Sequence, residues 1–422
     1  MSNIPTVIFL QKPNNFETKY LIGNPDITFF KSVYRRYTNF SKFTTSILPL
    51  TDQANGLIKY KISNFAGDLL SKVYFENTIE FNKSTIIYNN LGTSSFTDIK
   101  LIFNRDTIFR NNNLYLEARS ELNNDIVFSH SGNYTTSPYL KVNGSNIVCV
   151  NGNKYQNTTL SGGVGGMKLP SHNCTANFFV IPDFSFMKDY GLSIPLLCLN
   201  NTDIFLEYTY NDTNISTPVL LQNGFKQKCI VEYINLDIAE KKRFKLNDHE
   251  YIIEDTRLDP YTISNNQMVV NINESNTVLK QLLFVGSDSQ SGSKEFNTPI
   301  SINKNYNIKL TLDNELFLDN INTDILTRYN VYQHYKGSGR DIYNACNTPS
   351  TDYGLIDSIG VISFCLYPNN YTQPSGSISI SNNRNLSIDT TNSSSNFNNI
   401  TVYKISYNLL KFSNGQHGLQ YS

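Results

Sequence analysis

The amino-acid sequence predicts an all-β protein: two β-sandwiches in tandem, behind an N-terminal arm and one short helix. Three observations carry that expectation. The chain has 422 residues, too many for one compact core and suited to two domains of about 200 residues each. It is rich in Asn, Ser, Thr, Tyr and Phe and poor in Ala, which disfavours long helices and favours strands joined by polar turns. Its apolar residues recur in short alternating runs broken by Asn, Gly, Ser and Asp, the pattern of half-buried antiparallel strands.

Taken in order, residues 1–22 read as an extended arm, and residues 1–38 as arm plus helix. The helix is expected within Gly23–Ser41, GNPDITFFKSVYRRYTNFS. Asn24 is placed to cap it, Pro25 lacks only a donor the first turn leaves unused, and Asp26 faces the positive end of the dipole. Ile27, Phe30, Val33, Tyr34 and Tyr37 then share one stripe at helical spacing, with Arg35 and Arg36 at the carbonyl end.

The first sandwich is expected over residues 39–215. Its strands are Leu57–Ile62, Leu69–Phe75, Ser84–Tyr88 and Asp98–Phe103, and residues 129–177 form a polar insertion containing SGGVGG. Asn211–Gln227, with a proline and a glycine, reads as a linker. The second sandwich spans 216–422, with strand-like runs at Cys229–Asp237, His249–Asp259, Val278–Gly286, Tyr306–Asn314, Val361–Pro368, Gly376–Ser381 and Ile400–Leu410.

Composition also excludes function classes. Lys plus Arg and Asp plus Glu are both 35, so the formal charge is zero, whereas a nucleic-acid coat carries a basic excess. The triplet Lys241-Lys242-Arg243 reads as a solvated face. The six cysteines form no CxxC pair and no zinc spacing; Cys198 and Cys365 sit in apolar runs, as small buried hydrophobes. Ile4–Leu10 is short and lacks a basic lead-in, so no secretory leader is expected, and no run approaches a membrane span.

His249-Glu250 opens like a zinc-protease motif, but Ile253 stands where its second histidine belongs. The glycines at 162–166 lead into Met167-Lys168 rather than Gly-Lys-Ser/Thr, and GSGR at 337–340 fits no phosphate loop. No GxSxG elbow occurs, and the five histidines are scattered. The expectation is a protein that is not an enzyme, with no catalytic, cofactor-binding or metal-ligating residue and no cofactor.

The stretch Gly23–Phe40, GNP-ITFFK-VYRR-TNF, closely resembles the N-terminal signature of the major capsid proteins of large nucleocytoplasmic DNA viruses. Further segments match in order: Ile62–Phe75 with its Gly67-Asp68 turn, Phe184–Leu199, Val231–Phe244 with His249–Glu254, Lys280–Val285, and Tyr407–Ser422. Ser363–Ser381, SFCLYPNNYTQPSGSISIS, is the most specific of them; its Gln373-Pro374-Ser375-Gly376 is expected to join two strands through a proline-led turn. Departures are the absence of tryptophan, Asn64 in place of an arginine, Phe284 in place of a tryptophan and the NNTD at 200–203.

What the resemblance implies is a double jelly roll, two eight-stranded sandwiches, in a structural capsid protein. Its capsomer would be a pseudo-hexagonal homotrimer tiling an icosahedral shell around double-stranded DNA, without direct nucleic-acid contact. Partners would be further copies of itself and minor capsid proteins, with the arm at the base facing an inner membrane. The chain would be made and assembled in host cytoplasm and located in the virion. A minor capsid paralogue, a same-fold assembly scaffold and, in another class, a carbohydrate-binding β-sandwich remain as alternatives.

Overall fold

The computed structural model describes residues 24–50, 56–81, 96–123, 140–143, 146–149, 174–210, 225–261, 267–272, 277–287, 307–312, 315–322, 325–335, 359–380, 386–391 and 399–421. The chain divides into two compact units, Met1–Asn39 and Phe40–Ser422.

In the first unit the expected helix does not form. Residues 24–39 are irregular, with a tight turn at 29–30. Asn24 has φ 51°, in the left-handed region, instead of the extended conformation an N-cap requires. The stripe of Ile27, Phe30, Val33, Tyr34 and Tyr37 is solvent-exposed. A short helix is marginal in water unless one face is buried, and no such burial offsets nucleation here.

In the second unit the first sandwich is built from β1 (Phe40–Ile47), β2 (Leu57–Ile62), β3 (Leu69–Phe81), β4 (Phe96–Phe103), β5 (Asp106–Asn112), helix α1 (Asn113–Asn123), β6 (Leu140–Asn143), β7 (Asn146–Cys149), β8 (Cys174–Val180), β9 (Ile194–Pro195), β10 (Ile204–Tyr210) and β11 (Phe225–Leu236). One sheet has the order β1-β11-β3-β8-β7-β6 with β9 beside β3; the other is β2-β10-β4-β5. The sheets face each other through aromatic side chains. Phe75 of β3 lies 6.0 Å from the Tyr60 ring of β2 and 4.9 Å from the Tyr208 ring of β10. Strand β10 alternates buried and half-buried residues along its length, as a strand with one face on the core must. One polar chain crosses this core: Tyr60 donates to Gln227 Oε1 (2.9 Å), and Gln227 Nε2 donates to Asn77 Oδ1 (2.8 Å).

Helix α2 (Ile238–Leu246) then leads to the second sandwich: β12 (His249–Tyr261), β13 (Gln267–Ile272), β14 (Thr277–Ser287), β15 (Asn307–Leu312), β16 (Glu315–Asn322), a π-turn at Ile325–Tyr329 running into α3 (Asn330–His334), β17 (Ile359–Ser363), β18 (Ile378–Ile380), β19 (Leu386–Thr391), β20 (Asn399–Ser413) and β21 (Gln416–Leu419). Its sheets are β12-β20-β14-β17, with β18 on β14 and β21 on β20, and β13-β19-β15-β16. Residues 401–408 of β20 are buried on both faces, the pattern of a central strand.

Three expectations need correction. The strand expected to open the second sandwich, β11, lies between β1 and β3 of the first, pairing Phe40–Ile47 on one side and Leu69–Ile79 on the other. The first sandwich therefore extends to Leu236, and the connection is α2, not Asn211–Gln227, whose last residues already belong to β11. Residues 211–224 lie outside the described residues. The periodicity of β11 marks it as a strand; only its partners, far back in the chain, reveal which sheet it completes.

The insertion 129–177 also overruns its true end. Cys174 to Asn177 pair with β3, and β7 runs parallel to β8, extending the same sheet. The strand expected at Ser84–Tyr88, the SGGVGG stretch and GSGR lie outside the described residues. Finally, Gln373–Gly376 is not a turn joining adjacent strands. It is the return limb of a loop from 364 to 377, pinned by Leu366 N donating to Ser375 O (3.3 Å) and Tyr367 N to Ser375 Oγ (2.8 Å).

Candidate functional site: the seam between the sandwiches

Where the two sandwiches meet, the chain buries its most polar cluster. The seam starts at α1, a helix that the sequence reading does not anticipate. Asn112 Oδ1 accepts the N–H groups of Leu114 (2.9 Å) and Tyr115 (3.2 Å), capping the helix. The same oxygen accepts the hydroxyl of Tyr403 from β20 (2.8 Å), while the Tyr115 and Tyr403 rings pack 5.4 Å apart. One amide thus starts a helix of the first sandwich and holds a strand of the second. A local signal is present: Leu114, Tyr115, Ala118 and Leu122 share a helical face, and all but half-buried Leu114 are buried.

One turn further along α1, Arg119 is only 3% exposed. Its Nε donates to Asp183 Oδ2 (3.2 Å), Nη1 to the Tyr335 hydroxyl (3.3 Å) and Nη2 to the Tyr371 hydroxyl (2.5 Å). Lys188 pairs with the other Asp183 oxygen, and fully buried Lys280 pairs with Glu254. Three cations thus face two carboxylates. Tyrosines take up the remainder. The Lys188 ammonium lies 5.5 Å from the Tyr371 ring centre, and the Lys280 ammonium lies 5.3 Å from those of Tyr371 and Tyr407. Burial opposes the charge on Arg119, yet the Tyr371, Tyr115 and Tyr335 oxygens and the Glu254 carboxylate together raise its pKa. Burial, then the Arg119 charge, depresses the pKa of Lys188. Burial raises the Tyr335 and Tyr371 phenols, with Arg119 opposing.

A second contact lies at the hairpin between β20 and β21. Asn414 and Gly415 both take positive φ, as a two-residue hairpin turn requires. Gly415 O accepts from Asn201 N (3.1 Å), and His417 Nε2 lies 3.1 Å from Asp106 Oδ2 with its ring edge-on to Phe103. Asn201, Asp106 and Phe103 all belong to the first sandwich. The NNTD departure at 200–203 therefore sits against the C-terminal hairpin.

This arrangement positions the two sandwiches against each other. Each buried charge is spent on a neighbour, which is how buried ions are tolerated. Among the described residues no group of three or more His, Cys, Asp and Glu is gathered as a metal site. His249 lies on β12 beside Phe244 O (2.9 Å), with Phe412 of β20 between it and His417 of β21, and His334 lies on α3. Cys229 and Cys365 are buried and Cys198 is half-buried, its Sγ 3.2 Å from Phe244 O; all three are free thiols. Lys242 and Arg243 lie exposed on α2, while Lys241 reaches Asp68 (2.8 Å). No described helix is long and apolar enough to cross a membrane.

Residues 28–229 match the family model described as the major capsid protein N-terminus, a range that ends within β11. The chain matches the major capsid protein of Pyramimonas orientalis virus at 26% identity over 418 residues, 96% of each chain. The chain is similar to viral major capsid proteins over nearly its whole length, and its fold is a double jelly roll. A second such relative, the major capsid protein of Paramecium bursaria Chlorella virus 1, is 27% identical over 56% of this chain and 49% of its own length. Among solved structures, PBCV-1 VP54 superposes with a TM-score of 0.70 at 19% identity, covering 94% of this chain and 100% of that one. The Faustovirus major capsid protein superposes at 0.61 and 10% identity, covering 95% and 94%. In this capsid-protein relative the seam joins the two jelly rolls.

Proposed function

We propose that this chain is a structural subunit of the capsid of a large DNA virus, located in the virion and acting by geometry rather than catalysis. The observation that carries the reading is the match to a viral major capsid protein across 96% of both chains, joined to a fold of two sandwiches. The finer reading is a homotrimer whose six jelly rolls outline a pseudo-hexagon and tile an icosahedral shell, assembled in host cytoplasm. The first roll is assigned to residues 39–236 and the second to residues 237–422.

One surface suits self-association. Leu316, Phe317, Ile325, Tyr329, Tyr332, Leu366 and Tyr367 are 43–85% exposed. They lie on adjoining segments, as the Phe317–Phe364 ring contact (5.7 Å) and the Asn369 bond to His334 O (3.0 Å) record. An apolar grouping of this kind marks an interface rather than a solvated face. The aromatic and basic residues of the arm, Phe29, Phe30, Tyr34, Arg35 and Arg36, suit an inner membrane surface or a minor capsid protein.

Light scattering of the purified protein at micromolar concentration tests the trimer, and quantitative mass spectrometry of assembling and mature particles tests the capsid role. The expected results are a trimer, and equal high abundance at both stages. A monomer overturns the trimer. Loss on maturation identifies a scaffold instead, and low steady abundance a minor paralogue.

A further inference from the structure

We propose that the 364–377 loop is a clasp: Tyr371, seated on Arg119, couples the two jelly rolls so that they open and unfold as one unit. The loop belongs to the second roll, rooted by Phe364 N donating to Lys280 O (3.0 Å). Its outward limb carries exposed Leu366 and Tyr367, yet Tyr371 turns inward. There it accepts from Arg119 Nη2, and its ring centre lies 5.5 Å from the ammonium of Lys188, from the first roll, and 5.3 Å from that of Lys280, from the second. Asn370 shapes the inward turn, its Oδ1 accepting from Thr372 N (3.2 Å), Thr372 Oγ1 (3.0 Å) and Gln373 N (3.2 Å). Gly376, at φ 136°, closes the return limb with 3.0 Å between its would-be Cβ and Phe364 O, so the loop has one path.

The energetic logic is that the first roll does not satisfy its own charges, whereas Lys280 and Glu254 of the second pair with each other. Asp183 is shared by Arg119 and Lys188, leaving the first roll with one carboxylate for buried Arg119 and for the partly exposed Lys188. The two hydroxyls that complete Arg119, those of Tyr335 and Tyr371, come from the second roll. Displacing Tyr371 while the rest of the seam stays closed leaves Arg119 desolvated with a donor unpaired, a heavily penalised state. Docking of the loop and closure of the seam therefore favour each other. Tyr335 is itself held by donating to Gln281 Oε1 (2.7 Å), whereas Tyr371 is supplied by the loop, whose docking completes the shell.

Hydrogen exchange on the intact protein tests this, because it reads each roll separately. Tyr371→Phe keeps the ring and deletes the hydroxyl; Tyr371→Ala removes both; Tyr367→Ala is the same-loop control. Tyr371→Phe should lower protection of α1 amides in the first roll roughly ten- to a hundredfold, the scale of a lost hydrogen bond to a charged group. Tyr371→Ala should go further and split the calorimetric transition in two, whereas Tyr367→Ala should leave both readouts unchanged. Protection lost only within the second roll, or Tyr371 variants no different from Tyr367→Ala, would overturn the clasp. A monomeric or trimeric state does not alter these outcomes, so the test is independent of the capsid assignment.

Discussion

Gly67→Ala should destabilise the first jelly roll by a margin set by one close approach. A Cβ at residue 67 would stand 2.6 Å from Tyr233 Cβ and 3.1 Å from its Cγ and Cδ1. The contact is with the stem of Tyr233, so rotating the ring does not relieve it. Nor can Tyr233 retreat. It is 1% exposed, paired to Phe43 in β1 and Leu70 in β3, and stacked on Phe43 at 5.4 Å. Relief must come from moving the backbone, which strains two neighbouring bonds: Asp68 N to Ile234 O (3.0 Å) and Leu236 N to Asp68 Oδ2 (2.8 Å).

Overpacking of this kind costs about 1–3 kcal/mol, and each weakened hydrogen bond adds up to about 1 kcal/mol. Alanine returns about 0.4–1 kcal/mol by restricting the unfolded chain, leaving a net loss of about 2 kcal/mol at mid-range and at most about 4–5 kcal/mol. Equilibrium denaturation against Gly418→Ala, whose Cβ meets nothing within 4 Å, isolates the clash from the generic glycine effect. A Gly67→Ala protein as stable as wild type would refute the packing described at the β3–β11 junction.

Asn112→Ala should cost about 1.5–3 kcal/mol, the sum of a helix cap and one hydrogen bond; Tyr403→Phe, which loses only the bond, should cost less, and denaturation midpoints in the opposite order would contradict the shared role of Asn112. Burial holds the phenols of Tyr60, Tyr115 and Tyr403 above their ordinary pKa and pushes Tyr233 and Tyr251 up to about 12. The folded state therefore prefers them protonated: their contribution is complete below the ordinary value of 10.0 and is lost as pH rises through the folded values. With no tryptophan to obscure the signal, tyrosinate absorbance should lag and then rise together with loss of circular dichroism; full titration near the ordinary value with structure intact would contradict the burial. Paired charge insertion at Tyr332→Glu and Leu366→Glu should abolish self-association while leaving thermal stability within about 0.5 kcal/mol, as for exposed sites generally; unchanged particle size would remove that surface from the interface.

The strands are legible in the sequence because each is a local object. Leu57–Ile62 is expected with its true boundaries, and β4, β12, β14 and β20 within a few residues, since alternation and turn residues lie within a few positions of one another. The N-terminal helix misleads for the complementary reason: its caps and stripe are present, but a stripe without a buried face does not make a helix. The seam is illegible because its chemistry is long-range. Arg119 and Tyr371 are 252 residues apart, and Asn112 and Tyr403 are 291 apart, so no spacing rule connects them. Arg119 looks in sequence like any surface arginine. Only α1 carries a local signature, the capping asparagine ahead of an apolar face.

The place of β11 has a consequence for synthesis. β1 and β3 leave the ribosome early, but the strand that pairs with both is made only after β2, β4, β5, the insertion and β10. Until Leu236 has emerged, the nascent first roll carries two bare edges, on β1 and on β3, facing a gap one strand wide. Bare edges of this kind invite pairing with neighbouring chains. A polysome translating many copies side by side therefore sets this strand in competition with its counterparts on adjacent ribosomes. Any fragment cut before Phe225 inherits the gap permanently.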